Sequence, residues 1–308
     1  MSAERIEYAQ RSAGPLAVHV LRPTGDVDRA TAVLHLHGGG WRMGMPEMLT
    51  PRSAALAALG YTVVQVQYRL LSDEVQWPVP VVDLRSALRW VHQNADDLGI
   101  RRERIVLWGH SAGAHISLMA VATRDDRSLD DPGDDARVPL SVAAIVACYP
   151  PALLHGGDTP LMVVDADGMP DLAAIAAKQR SDGAVPACDL LGGPCTDGQA
   201  RDASPVHRIT ADFPPTMIVH GTADMMIAAE ASRRLDGALR SSGVTSQLAT
   251  FADCNHEFDM IPSYAAVVTA QIDLFLRRVL DDADLVAEIG ASAMFPESLP
   301  SGAVDIGV

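Results

Sequence analysis

No stretch of this 308-residue chain stays apolar long enough to cross a bilayer. The longest nearly apolar run, Val142 to Leu154, is broken by Pro150 and Pro151 and falls short of the ~20 residues a spanning helix needs. Glu4, Arg5 and Glu7 open the chain with no apolar stretch behind them, so no secretory signal is expected and the chain reads as cytoplasmic. Positive charge is scarce: 24 Lys and Arg against 39 Asp and Glu give a formal charge of −15. That balance argues against nucleic acid and against an anionic membrane as partners. Cysteine is confined to positions 148, 188, 195 and 254; none has zinc-finger spacing, and free thiols are expected in a cytoplasmic protein. Cys188 and Cys195 flank Gly192-Gly193-Pro194 and are the one pair that a bridge is weighed for. No histidine pair has metal-ligand spacing supported by carboxylates, so no metal and no other cofactor is expected. Internal repeats and low-complexity tracts are also missing.

What is present is an ample apolar content, 48%, laid out as strands alternating with helices. Leu16–Leu21, Ala32–Leu36, Tyr61–Tyr68, Ile105–Trp108, Val142–Tyr149, Thr216–His220 and Gln247–Phe251 read as strands. Met45–Leu59, Pro80–Leu98 and Ala114–Ala122 read as helices. Two further helices are marked by Ala228, Ala231 and Leu235, and by Val268, Ile272, Phe275 and Val279. The expected fold class is α/β: a mostly parallel central sheet with helices on both faces. Between Pro150 and Phe213 the rhythm fails, with no clear strand and only a short helix expected around Pro170–Lys178. Long irregular segments in compact domains are usually functional, and residues 151–212 are read as a cap inserted into a catalytic domain of residues 1–285. Residues 286–308 are read as a tail.

One motif organises the rest. Gly109-His110-Ser111-Ala112-Gly113 follows an apolar strand and precedes a helix. A G-x-S-x-G turn in that setting holds a strained, projecting serine, so Ser111 is the candidate nucleophile. Serine needs a base to take its proton and an acid to orient that base. In the order this arrangement requires, Asp224 follows the strand ending at His220, and His256 follows the strand ending at Phe251. Asp253 and Asp259 are the rival acids. His37-Gly38-Gly39-Gly40-Trp41 follows an early strand, and glycines let backbone N–H groups approach a developing oxyanion. Gly38, Gly39 and Ala112 are the expected donors. Of the other histidines, His35 and His220 read as structural, His110 as the variable residue of the turn, and His115 as part of the following helix. Activity is expected to rise with pH and level off near neutrality, where an ordinary histidine is neutral.

At these residues the chain resembles the acetyl/feruloyl-esterase-like and hormone-sensitive-lipase-like branches of the α/β-hydrolase superfamily. Tyr68-Arg69-Leu70, Ala87-Leu88-Arg89-Trp90, Leu190-Leu191-Gly192-Gly193-Pro194 and Ala203-Ser204-Pro205 extend the resemblance over about Leu16 to Leu280. It implies an α/β-hydrolase fold with an inserted cap and a serine hydrolase of carboxylic esters, acting through an acyl-enzyme. Few residues precede His37, so the cap is expected from 151–212 rather than from an N-terminal helical segment. Trp41, Leu161, Met162 and Met169 are candidate pocket residues, and a small acyl group is expected because no long apolar surface for lipid is evident. The expected partner is a small-molecule ester, and a homodimer is left open. An arylformamidase with the same machinery is the nearest alternative, and a non-catalytic ligand-binding receptor the more distant one.

Overall fold

The computed structural model describes residues 3–161, 163, 171–280 and 285. In chain order the strands are β1 (Glu4–Arg11), β2 (Gly14–Leu21), β3 (Ala32–Leu36), β4 (Thr62–Val66), β5 (Ile105–His110), β6 (Ala144–Cys148), β7 (Leu154–His155), β8 (Val185–Pro186), β9 (Thr216–Gly221) and β10 (Ser246–Phe251). The helices are α1 (Thr50–Ala57), α2 (Val79–Gln93), α3 (Ala95–Leu98), α4 (Ala112–Ala122), α5 (Leu172–Ala176), α6 (Cys188–Leu191), α7 (Asp197–Asp202), α8 (Ala229–Ser241) and α9 (Pro262–Val279). Eight strands form one sheet in the order β1-β2-β4-β3-β5-β6-β9-β10, and β7 pairs with β8 in a separate small ladder. β1 and β2 form an antiparallel hairpin and β2 meets β4 antiparallel; every other pairing in the sheet is parallel. This is the α/β-hydrolase architecture.

Every residue of β3, β4, β5, β6 and β9 is buried, as parallel strands covered on both faces must be. One face packs α2, α4 and α8 through Leu84, Leu88, Ile116 and Leu235. The other packs α1 and α9 through Leu56, Val268, Ile272 and Phe275. α8 shows how the sequence sets its own face: Ala231, Leu235 and Leu239 are buried, while Arg233, Arg234 and Arg240 are exposed, which is helical spacing. α4 differs, because each residue from Ala112 to Val121 is buried. It lies between the sheet and α2, with no solvent face.

Several expected boundaries move. The Met45–Leu59 helix is a 3-10 turn, Pro46–Leu49, followed by α1 with Pro51 in its first turn, where a missing N–H costs nothing. The Pro80–Leu98 helix is two helices. Asn94 Nδ2 donates to Trp90 O at 2.8 Å and closes α2, and Gly99 at φ 68° ends α3. The N-terminal strand β1 adds to the expected set; half of it faces solvent at the sheet edge. The four cysteines are free. Among the described residues, no helix is long and apolar enough to cross a membrane.

Candidate active site

Register brings the site together. Leu36 pairs with Gly109, His110 with Cys148, and Cys148 with Val219, so β3, β5, β6 and β9 end at the same level. The residues after these strands converge there, where loops beyond parallel strand ends build sites. Ser111 bridges β5 and α4 at φ 50°, ψ −117°, a conformation that persists only when its surroundings over-determine it. Close packing supplies that constraint. A Cβ on Gly109 would stand 2.4 Å from Gly113 O, and one on Gly113 would stand 2.4 Å from His37 O. The Ser111 N–H also donates to Cys148 O at 2.9 Å.

Ser111 Oγ lies 3.0 Å from His256 Nε2, and His256 Nδ1 lies 2.7 Å from Asp224 Oδ2. The carboxylate can only accept, so Nδ1 carries a proton and, in the neutral ring, Nε2 is left as the acceptor facing the serine. Asp224 is itself held. Its Oδ1 accepts from the N–H groups of Met226 and Ile227, both at 2.8 Å. His220 Nε2 stands 3.2 Å from Oδ2 and 2.9 Å from Ile227 O; the carbonyl fixes the proton on Nε2, so His220 presents a donor to the carboxylate as well. Burial opposes the charge on Asp224, but the His256 charge and the hydrogen bonds from His220 and His256 prevail and hold its carboxyl well below the usual range. Burial likewise opposes the charge on His256, yet the Asp224 carboxylate, with lesser help from Glu257 and Asp259, raises it above the ordinary histidine value. The pH at which activity is expected to level off therefore lies above the ordinary histidine value.

The Gly38–Gly40 loop lies against the serine. A Cβ on Gly38 would stand 3.1 Å from Ser111 Cβ. Gly39 sits at φ 107°, and its carbonyl accepts from the N–H groups of Arg42 and Met43. Ala112 opens α4, and the first N–H groups of a helix have no partner within it. Tyr68 Oη braces the loop by donating to His37 O at 2.9 Å. Arg69 anchors that brace through a two-pronged contact with the buried Asp83, Nε at 2.9 Å and Nη2 at 2.6 Å. Trp41 is buried, and its indole N–H donates to His115 Nδ1 at 3.2 Å. His115 Nε2 in turn meets Ala203 O at 2.8 Å. Trp41 is thus linked to the end of the 151–212 segment through His115. Leu161 is buried in the larger core. Met162 and Met169 lie outside the described residues.

The rival acids are elsewhere. Asp253 holds the turn through its backbone N–H to Thr222 Oγ1. Asp259 accepts from Tyr149 Oη at 2.7 Å and from Arg52 Nη1 at 3.2 Å. Tyr149 links this cluster to the site, because its ring packs 4.6 Å from the imidazole of His256. Below it, His110 Nδ1 meets Tyr149 Oη at 2.9 Å, and its Nε2 meets His35 Nε2 at 2.8 Å. Burial pushes His110 down to about 4 and His35 well below its usual value, so both are neutral and one ring donates to the other. His110, Cys148 and Asp259 bring possible ligand atoms within 4.8 Å of one another, but the Arg52 guanidinium already fills the cationic role there.

Asn255 and Gln179 carry no motif that singles them out in the sequence. Asn255 Oδ1 accepts from His256 N at 2.7 Å and Met225 N at 2.9 Å, tying the base loop to the acid loop. Gln179, from the segment between β6 and β9, donates to Asp224 O at 2.9 Å. A cleft of about 620 Å³ is lined by Leu140–Ala143 and Phe213–Pro215. These residues precede β6 and β9, so this cleft lies at the opposite end of the strands, and its size does not bear on the site.

Residues 18–239 match the BD-FAE family. Esterase LipQ of Mycobacterium tuberculosis is 26% identical over 79% of this chain, and a probable carboxylic ester hydrolase of the same organism, LipM, is 28% identical over 89%. The chain spans 54% and 61% of the length of these two relatives. Among solved structures, the thermophilic esterase Est2 of the Planctomycetes species Thermogutta terrifontis, with propionate bound, superposes with a TM-score of 0.67 at 26% identity, covering 96% of this chain and 97% of that one.

Proposed function

The chain belongs to the BD-FAE family, and on that footing we propose that it hydrolyses carboxylic esters with Ser111 as nucleophile. Ser111 Oγ attacks the ester carbonyl as its proton passes to His256 Nε2. Asp224 holds the productive tautomer and stabilises the imidazolium that forms. The N–H groups of Gly38, Gly39 and Ala112 receive the developing oxyanion, where fixed donors act most strongly. His256 then protonates the leaving alcohol, and water, deprotonated by the same ring, cleaves the acyl-enzyme. The observation that carries this reading is the unbroken line Ser111–His256–Asp224, at 3.0 and 2.7 Å, rising from a serine with strained backbone angles.

A small acyl group is the proposed preference. Propionate occupies a related esterase of matching fold, and Ser111 itself is only 8% exposed. The segment between β6 and β9 is the proposed cap, supported by the Gln179 contact to Asp224 O and by the Arg42 contact to Asp189 O at 3.2 Å. Replacing Ser111 with Ala tests the core of the reading: hydrolysis of p-nitrophenyl acetate should fall by about 10⁶-fold in turnover with the fold retained. A purified Ser111→Ala protein that keeps the parent rate would overturn it.

A further inference from the structure

Glu257, the residue after His256, has φ 55° and ψ 24°. A side chain with a Cβ pays a conformational cost in this left-handed region that glycine avoids. The Glu257 carbonyl accepts from Met260 N–H at 2.9 Å, but the side chain gains nothing from that bond. The side chain makes no capping bond to the 3-10 turn Phe258–Met260 that it precedes, and among the described residues its carboxylate has neither a hydrogen-bond nor an ion-pair partner. Arg52, the buried cation of the neighbouring cluster, is bonded to Asp259 instead. The Glu257 side chain is nevertheless turned toward the site and half-buried. The point where a Cβ on Gly38 would stand is 3.2 Å from Glu257 Oε1 and 3.1 Å from Ser111 Cβ. A carboxylate so close to the proposed oxyanion donors opposes the charge that develops there. It can only accept hydrogen bonds. A carboxylate held in a strained backbone conformation at this edge of the site is placed to receive a donor carried by the ligand.

We propose that Glu257 is a specificity-determining residue: it accepts a hydrogen bond from a hydroxyl or ammonium group carried beside the scissile ester, and it rejects esters with an anionic group there. This inference rests on the Ser111 ester-hydrolase reading and goes beyond it to the chemical class of the substrate. Two near-isosteric series test it, one for each side of the ester. The alcohol series is propyl acetate, 2-hydroxyethyl acetate and O-acetylglycolate. The acyl series is methyl butanoate, methyl 3-hydroxypropanoate, methyl 3-aminopropanoate and monomethyl malonate. kcat/KM is measured by acid release for the parent, Glu257→Gln and Glu257→Gly.

In at least one series the parent should favour a donor-bearing ester over its alkyl counterpart by about tenfold or more, as charged hydrogen bonds do, and disfavour the carboxylate-bearing one by a similar factor. The amino and hydroxyl members of the acyl series distinguish the two donors. Glu257→Gly, which relieves the backbone strain and should melt no lower than the parent, should bring the donor preference close to unity. Glu257→Gln should bring the carboxylate ester within a few-fold of the alkyl ester, because the repulsion between like charges is gone. Equal ratios in the parent and both variants would overturn the inference, whatever happens to melting temperature. A parent that hydrolyses p-nitrophenyl acetate but none of these esters would also overturn the inference; a parent that hydrolyses neither, or a Ser111→Ala protein that hydrolyses them as well as the parent, would overturn the ester-hydrolase reading instead.

Discussion

Replacing Asp224 with Asn exchanges one oxygen for an amide nitrogen, and the surrounding hydrogen bonds decide where that nitrogen goes. Oδ1 must stay an oxygen, because it accepts from the Met226 and Ile227 N–H groups, both at 2.8 Å. The amide nitrogen is therefore forced into the Oδ2 position, 2.7 Å from His256 Nδ1 and 3.2 Å from His220 Nε2. His220 cannot yield its proton, since Ile227 O requires it. His256 can accept from the new amide only by moving its own proton to Nε2, and in that tautomer it has no lone pair for Ser111. The same swap in a serine-protease triad lowers turnover about 10⁴-fold through the wrong tautomer, and a loss of that order is expected here. Removing the carboxylate also removes the main cause of the raised His256 value, so the pH at which the residual activity levels off should move down. The assay is kcat for p-nitrophenyl acetate across the acid-to-alkaline range, with Asp253→Asn as the control. Residual turnover within about tenfold of the parent, or a larger loss in Asp253→Asn, would overturn the role given to Asp224.

In the proposed mechanism His256 must be neutral to accept the Ser111 proton, and Asp224 favours its charged form. The rising limb of kcat/KM against pH should therefore have its midpoint above the ordinary histidine value of about 6.5; a midpoint at or below that value contradicts the proposed coupling. Gly113→Ala places a methyl 2.4 Å from His37 O and 2.7 Å from Leu36 O. Backbone must shift, so a stability loss of about 1–3 kcal/mol and roughly a 10²-fold or greater fall in kcat are expected, readable by denaturant melts and turnover. Leu161→Ala should change the ratio of rates on acetyl, butyryl and octanoyl p-nitrophenyl esters if the proposed cap shapes the acyl site, by roughly 10-fold or more per misfit methylene, while fluorophosphonate labelling of Ser111 persists. An unchanged chain-length profile would place the acyl site elsewhere.

What could be read from the sequence was local. The turn at Ser111 announces itself because its glycines are demanded by contacts within a few residues and with the end of β3. Asp224 and His256 follow from chain order, since each comes just after a strand whose end the parallel register fixes. The strand β1 escapes a reading by pattern because alternation is weak where one edge meets solvent. The split at Asn94 escapes it because apolar spacing continues across the break, and only the Asn94 contact to Trp90 O marks it. His220 reads as structural, and its bonds to Ser232 Oγ and Ile227 O are structural. Its third neighbour, Asp224, depends on how the loop after β9 closes, which no spacing reveals. Tyr149 approaches His256 across two strands, from the end of β6 to the loop after β10. The left-handed backbone of Glu257 has no signature in a residue type that rarely adopts it.

In the proposed mechanism Ser111 forms a covalent acyl intermediate with His256 as base. Intact-protein mass spectrometry under rapid quench with p-nitrophenyl acetate, combined with peptide mapping, tests it most directly. The parent protein should carry an acetyl adduct on the peptide that contains Gly109–Gly113, localised to Ser111. Ser111→Ala should carry no adduct on that peptide, and acylation should be strongly slowed in His256→Ala. Turnover without an adduct at Ser111, or an adduct on another residue that keeps pace with turnover, would contradict this mechanism.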